Sequence, residues 1–353
     1  MSISSILINW YLEKKRNLPW RNTSNPYYIW VSEVILQQTR VAQGLNYYER
    51  FIDRFPDIQS LANADIIDVL KFWQGLGYYT RARNLHAGAK YVVQQLHGVM
   101  PADYAGLLQI KGVGEYTAAA IGSIAYNIPK PVVDGNVNRV IARIFGIHNP
   151  INSTLGLKSI KNIAQTILDQ KNPSLHNQAI MEFGALQCVI RNPNCDICPL
   201  NNECYAWQHK EVELLPQKTK RQKIRNRYFN YMVILYHNNI VLSKRSTKDI
   251  WHGLYEFPLI ETDHAMNEIK LMSTAEWKSL FGDTDYHLVE VSKIHKHQLT
   301  HQKINAQFLL ITVKDKPDAL SKKTILVKKE DIHQYPVPKL IDNYLHTLNF
   351  KNY

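Results

Sequence analysis

The sequence predicts a mainly α-helical chain: an all-α N-terminal part followed by a smaller α/β domain. Three observations predict this. Apolar residues recur at helical spacing up to about residue 210, with Pro, Gly and Asn marking the breaks. Beyond a basic stretch the pattern changes to strand-like runs. All four cysteines fall inside one short segment at the end of the helical part, as Cys188, Cys195, Cys198 and Cys204.

The N-terminal part, residues 1–210, holds two local signals. LLQIKGVGEYTAAAIGSIA places a tight Gly112-Val113-Gly114 turn between two helical stretches, the second opening near Glu115. This is a helix-hairpin-helix, expected at about 107–121. Its glycines let the backbone approach a ligand closely, and free amides at the helix start suit a phosphate oxygen. A glycine turn can also be a plain helix connection; Lys111 beside it favours DNA. Further on, PVVDGNVNRVIARIFG sets Asp134 before a helix whose apolar face is Val137, Val140, Ile141 and Ile144. An N-cap carboxylate accepts hydrogen bonds from free amides and feels the helix dipole, so Asp134 is expected to have a lowered pKa and to stay ionised.

The cysteine spacing, C-x6-C-x2-C-x5-C, can satisfy one four-thiolate centre without other residues. The N-terminus lacks the apolar core and cleavage site of a signal peptide, so the thiols are expected to be ligands and not disulfides. Four thiolates suit structural zinc or a 4Fe-4S cluster. A zinc ribbon usually presents two C-x2-C knuckles, whereas here one C-x2-C pair is flanked by single cysteines, which favours the cluster.

Residues 211–228 form the expected basic linker: KTKRQKIRNR carries six basic side chains and no acidic one. In 229–353, YFNYMVILYHNNIVLSKR reads as two strands about an Asn-rich turn, HQKINAQFLLITV as another strand, and PKLIDNYLHTL as a last helix.

At 353 residues and 45% apolar content the chain can build two cores. It contains no run of 18 apolar residues, which excludes a helical membrane span. The net charge of +12 gives a standing attraction to polyanions and makes nucleic acid the expected partner.

Glu33, in IWVSEVILQQTRV, is flanked by Trp30, Val31, Val34, Ile35 and Leu36. A carboxyl in apolar surroundings has a raised pKa, so Glu33 should be protonatable near neutral pH unless it faces water. One raised and one lowered carboxyl is what glycosidic cleavage asks for: an acid for the leaving group and an anion facing a sugar cation.

The hairpin, the VVDGNV aspartate and the four-cysteine loop together resemble the endonuclease III superfamily of base-excision DNA glycosylases. LPWRNTSNPYYIWVSEVILQQTRV, WQGLGYYTRARNLH and NQAIMEFGALQC are similar to its adenine-glycosylase (MutY) branch. The similarity covers nearly the whole chain. It implies an enzyme of base-excision repair: a monomeric, cytoplasmic, nucleoid-associated bacterial hydrolase with one 4Fe-4S cluster. It would act on double-stranded DNA and remove adenine paired with 8-oxoguanine or G. A thymine-mismatch or other base glycosylase of the same superfamily is the alternative, although such enzymes lack the WHGLYEFP domain. Bifunctional members carry a nucleophilic lysine where this chain has Tyr116, so the resemblance implies a monofunctional glycosylase that leaves an abasic site.

The same resemblance assigns roles. Glu33 would protonate N7 of a flipped adenine and help activate water; Asp134 would stabilise the sugar cation, with Tyr116 beside it. Trp20, Arg21 and Leu36 would wall the pocket, and Gln178 would offer its amide to the base. Gln38 and Tyr78 would wedge into the duplex. Gln37, Thr39, Lys111, Gly112, Val113 and Gly114 would be further DNA contacts. RSTKDIWHGLYEFP resembles a Nudix-like module that reads 8-oxoguanine, and the chain has no Nudix box of clustered acids. In HKHQLTHQK, Leu299, Thr300 and His301 stand in the damage-recognition loop, Leu299 and Thr300 replacing the common Phe and Ser. Asn138 sits where some members have a lysine that traps DNA, so such trapping should be weak.

Overall fold

The computed structural model describes residues 2–219, 224–246, 249–315, 317 and 324–348. Contacts divide the chain into two units: Met1–Ala64 with Asn84–Lys220, and Asp65–Arg83 with Arg221–Tyr353.

The first unit is helical. Its elements are α1 (Ile3–Lys14), a 3-10 turn (Pro19–Arg21), α2 (Pro26–Leu36), α3 (Val41–Arg54) and α4 (Ile58–Asn63). After α5 (Ile66–Phe72) of the second unit and α6 (Thr80–Gln95), which crosses the boundary, come α7 (Tyr104–Gln109), α8 (Glu115–Tyr126), α9 (Gly135–Phe145), α10 (Thr154–Ile167), α11 (Pro173–Leu186) and α12 (Tyr205–Gln208). Pro26 at the first turn and the Asn25 side chain, which accepts from the Tyr27 amide, start α2. Most α2 residues are buried, Glu33 included. α8 is rich in alanine and glycine, so α2 and α11 pack against it closely. α9 ends at Gly146, in the left-handed conformation at φ +64°. The expected apolar face, Val137, Val140, Ile141 and Ile144, joins Leu7, Tyr11, Ile180 and Phe183 in the core.

The hairpin between α7 and α8 is held by shape. Gly112 has φ +83°, and a β-carbon there would lie 2.6 Å from Asn84 Cβ. A β-carbon on Gly88 of α6 would lie 2.7 Å from the Lys111 carbonyl oxygen. Glycine is what permits both the turn and the approach.

The second unit is a mixed sheet with helices on both faces. It contains β1 (Arg225–Tyr236), β2 (Asn239–Lys244), β3 (Tyr255–Glu256), β4 (Leu259–Thr262), α13 (Glu268–Met272), α14 (Ala275–Phe281), β5 (Tyr286–Val291), β6 (His295–Gln298), β7 (Gln302–Val313), β8 (Thr324–Lys328) and α15 (Lys339–Leu345). The order is β3-β2-β1-β7-β5, with β1 and β7 parallel from Arg225 opposite Gln302 to Tyr236 opposite Val313. Alternation along β1 sends Phe229, Tyr231, Val233 and Leu235 to a core capped by Leu340, Ile341 and Tyr344 of α15. Met232 and Ile234 face a second core closed by Leu271, Trp277 and Phe281. The expected hairpin, last long strand and last helix are β1–β2, β7 and α15.

Two boundaries depart from the expected organisation. β1 begins at Arg225, inside the basic stretch, because Arg227 finds carboxylate partners in this unit; residues 220–223 lie outside the described residues. Segment 65–83 groups with the C-terminal sheet: Ile67 packs against its core, and Gln74 Nε2 donates to Asp342 Oδ1 at 2.9 Å.

Candidate active site

A cleft of about 780 Å³ opens in the first unit. Among the residues lining it are Trp20, Arg21, Glu33, Leu36, Gln37, Gln38, Thr39, Gly112, Gly114, Tyr116, Asp134 and Gln178. Thus α2, the hairpin, the start of α9 and α11 bring most of the sequence-predicted residues to one cavity. Lys111 is exposed on the hairpin and Val113 is buried beneath it; neither lines the cleft.

Glu33 is 8% exposed and accepts a 2.6 Å hydrogen bond from the Tyr116 hydroxyl at Oε2. Burial pushes its carboxyl up to about 7; Tyr116 works against the rise, Asp134 adds to it, and Arg21 opposes it. The expected protonatable acid is therefore present. Tyr116 itself is held well above the usual phenol range, chiefly by burial and then by the Glu33 and Asp134 charges.

Asp134 caps α9 as expected: its Oδ1 accepts from the amides of Asn136 at 2.9 Å and Val137 at 2.7 Å, and Oδ2 from Asn136 Nδ2 at 3.0 Å. Its pKa does not follow the expectation. Desolvation in the cleft wall raises it above the ordinary aspartate value, outweighing these bonds and the Arg139 charge. Capping describes the local helix end, whereas the loss of water comes from packing that local sequence does not report. Behind Asp134, Asn136 Oδ1 accepts from Arg139 Nη2 at 3.1 Å, and Arg139 Nε donates to the Cys188 carbonyl at 2.8 Å.

The cleft also holds residues that the sequence reading missed. Glu182 is 1% exposed and accepts from Arg16 Nε at 2.8 Å, Arg16 Nη2 at 2.6 Å and Arg21 Nη2 at 2.7 Å. Burial alone would raise its carboxyl, but the two arginines hold it below the usual range. The signal was available: Glu182 sits among Ile180, Met181 and Phe183, just as Glu33 sits in its own apolar run. Among the described residues, Arg21 Nη1 and Asn138 Oδ1 are buried with no hydrogen-bond partner. Such groups in a cleft wall are free to meet a ligand. Gln178 Oε1 accepts from Tyr11 and its Nε2 donates to Ser174, leaving one amide hydrogen for another acceptor. Gln38 is exposed at the rim with φ +59°, a strained conformation for a side-chain-bearing residue.

The four thiols form one neighbourhood: charges on Cys188, Cys204 and Cys195 all act on Cys198, whose pKa is raised first by burial. Arg143 Nη1 approaches Cys188 Sγ at 3.5 Å. No group of three or more His, Cys, Asp or Glu among the described residues could hold a single metal ion. Four thiols in one neighbourhood, with the Arg143 guanidinium beside them, are a donor set that a four-thiolate centre, zinc or 4Fe-4S, takes.

In the second unit, Tyr78, Leu299, Thr300 and His301 line a separate groove of about 440 Å³ together with Trp251 and His297. The Tyr78 and Thr300 hydroxyls are 2.5 Å apart. Tyr78, like Gln38, has a positive φ, +49°.

Fold and cleft define a helix-hairpin-helix DNA glycosylase of base-excision repair. Residues 31–165 match the family described as HhH-GPD superfamily base excision DNA repair protein, and residues 230–347 match a NUDIX domain. A thermostable thymine-DNA glycosylase structure superimposes with a TM-score of 0.54 at 26% identity, over 58% of this chain and 95% of that one. More specifically, the chain belongs to the adenine DNA glycosylase family. The adenine DNA glycosylase of Buchnera aphidicola subsp. Schizaphis graminum is 31% identical over 97% of both chains. That of Buchnera aphidicola subsp. Acyrthosiphon pisum is 36% identical over 72% of this chain and 73% of its own. Among the described residues no helix is long and apolar enough to cross a membrane.

Proposed function

We propose that this enzyme removes adenine from double-stranded DNA where adenine stands opposite 8-oxoguanine or guanine, by monofunctional hydrolysis after the nucleotide has flipped into the 780 Å³ cleft. The observation that carries the reading is Glu33, a carboxyl pushed up to about 7 in the same cleft as Asp134.

Protonated Glu33 donates its proton to N7 of adenine, and the N-glycosidic electron pair leaves with the base. Asp134, as the carboxylate, faces the positive charge that develops on the sugar. Ionised Glu33 then takes a proton from water as the water oxygen bonds to the anomeric carbon, leaving an abasic site. Tyr116 orients Glu33 through the hydrogen bond to Oε2 and supplies no amine for an imine. The unpartnered Arg21 Nη1 suits an acceptor nitrogen of adenine, and Asn138 Oδ1 suits a donor such as the exocyclic amine.

The hairpin amides would hold a DNA phosphate, with Gln37, Gln38, Thr39 and Tyr78 touching the displaced duplex. Leu299, Thr300 and His301 would meet 8-oxoguanine, making the second unit a reader and not a phosphohydrolase. Cys188, Cys195, Cys198 and Cys204 would hold one 4Fe-4S cluster, which when bound supplies a rigid brace for the 188–204 loop. The enzyme would work as a monomer in the bacterial cytoplasm, on the nucleoid.

The test is incubation with duplexes carrying adenine opposite 8-oxoguanine, G, C or T, followed by comparison of direct and alkali-developed strand breaks. Breaks developed only by alkali, fastest opposite 8-oxoguanine, are expected. Direct nicking, or removal of thymine in place of adenine, would overturn the reading.

A further inference from the structure

Arg227 of β1 is 6% exposed, an unusual place for a cation. Its Nε and Nη2 donate to the two oxygens of Glu261 in β4, both at 2.7 Å, and that bidentate pair already balances its charge. The remaining donor, Nη1, forks to two segments that line the groove: Asp249 Oδ2 at 2.5 Å and Gln302 Oε1 at 3.0 Å.

Asp249 leads into the wall that carries Trp251. Arg245 secures the same wall, donating from Nε to the Ile250 carbonyl at 2.8 Å and from Nη2 to Asp249 Oδ2 at 3.2 Å. Both guanidinium groups lie against the Phe229 ring, 4.8 Å and 5.5 Å from its centre, and Trp251 meets that ring edge-on at 6.1 Å. Trp251 has φ +61°, a conformation that persists only where surroundings over-determine it. Gln302 starts β7 directly after Leu299, Thr300 and His301, and its carbonyl accepts from the Leu299 amide at 2.8 Å. A single nitrogen of Arg227 thus holds both walls.

We infer that Arg227 is a positioning residue that sets the spacing of the Trp251 wall and the 299–301 loop, and so determines how strongly the enzyme prefers 8-oxoguanine opposite adenine. This rests on the reading of the second unit as the 8-oxoguanine reader. 8-Oxoguanine differs from guanine by one oxygen and one N–H, and a small polar difference is discriminated only by a site whose groups are fixed beforehand.

The experiment measures single-turnover adenine excision by the intact enzyme from duplexes with adenine opposite 8-oxoguanine and opposite G. Arg227→Met keeps the stem over Phe229 and removes every donor. It should lower the ratio of the two rates about tenfold, the effect of losing a charge-assisted bond. The rate opposite G should stay within about twofold, because the adenine cleft lies in the other unit. Arg227→Lys keeps the charge but not the fork, so it should fail to restore the ratio; full rescue would mean that only charge balance matters and would overturn the inference. Gln302→Met, which leaves the Arg227–Glu261 pair intact, should lower the same ratio, and it decides the matter if Arg227→Met does not fold. A wild-type ratio near one would refute the reader role itself, and the inference with it. A clear wild-type preference that survives in Gln302→Met and Arg227→Lys would refute the inference alone.

Discussion

Replacing Tyr116 by Phe tests the proton chemistry of the cleft, because it removes one hydroxyl from Glu33 and leaves the ring in place. That hydroxyl donates to Oε2 at 2.6 Å and lowers the Glu33 pKa against the push of burial. A hydrogen bond to a charged group is worth about 1.5–3 kcal/mol. Only its excess in favour of the carboxylate over the protonated acid shifts the pKa, so about 1.5 kcal/mol, or about one unit, is the reasonable magnitude. The Glu33 carboxyl of the variant should then titrate above the wild-type value of about 7. Because the proposed general acid must carry its proton, excision should fall as pH rises through the folded pKa, and Tyr116→Phe should move that alkaline limb up by about one unit. Single-turnover excision between pH 5.5 and 9.5 would read it, with Glu33→Gln as the control that lacks both the proton and the limb. A stability check carries the same sign. The folded state binds the Glu33 proton more tightly than the unfolded chain, so the contribution of this one group to stability is full below 4.5 and is lost as pH rises to about 7, about 3 kcal/mol in the wild type. In the variant the loss should extend about one unit further. An alkaline limb that stays put or moves to lower pH would refute the role assigned to the Tyr116 hydroxyl.

Further outcomes follow from the same geometry. Asp134→Asn keeps a good cap for α9 but removes the charge, so excision should drop about 10²–10³-fold while the melting temperature changes little; a variant that is unstable yet active would make Asp134 a cap only. Gly112→Ala forces a β-carbon to within 2.6 Å of Asn84 at φ +83°, and should cost about 1–3 kcal/mol in thermal unfolding and weaken duplex binding; unchanged binding would separate the hairpin from DNA. Cys198→Ser should abolish the brown colour expected of the purified protein and lower DNA affinity, since Arg191 and its neighbours lie in the 188–204 loop; unchanged affinity without colour would make that loop peripheral to binding. Tyr116→Lys places an amine in the cleft beside Glu33 and should gain direct strand nicking with a borohydride-trapped adduct; adenine excision with neither would show that position 116 does not face the sugar.

What could be read from the sequence was whatever a short segment decides by itself. The cysteine spacing, the glycine turn ahead of Glu115 and the Asp134 cap depend on neighbours within a few residues, and the helical and strand periods of α9 and β1 follow from side-chain direction. Glu33 was legible in part, since an acid flanked by apolar residues is expected to lose water, but only the packing of α2 against α3 and α8 removed the alternative of a solvated face. Glu182 carried the same signal, but its function as the joint partner of Arg16 and Arg21 required residues about 160 positions away. The direction of the Asp134 shift was misjudged because capping is local while desolvation is a property of the finished cleft. Segment 65–83 joined the C-terminal sheet through Ile67 and Gln74, contacts that no periodicity announces. Arg227 stood in what read as a basic linker; only the pairing of β1 with β4 and β7 brought Glu261 and Gln302 to it, and the segment between β2 and β3 brought Asp249. Local chemistry thus determined which groups this protein has to work with. The tertiary structure decided which of them lose water and which face each other, because burial and charge pairing are set by residues far apart in the chain.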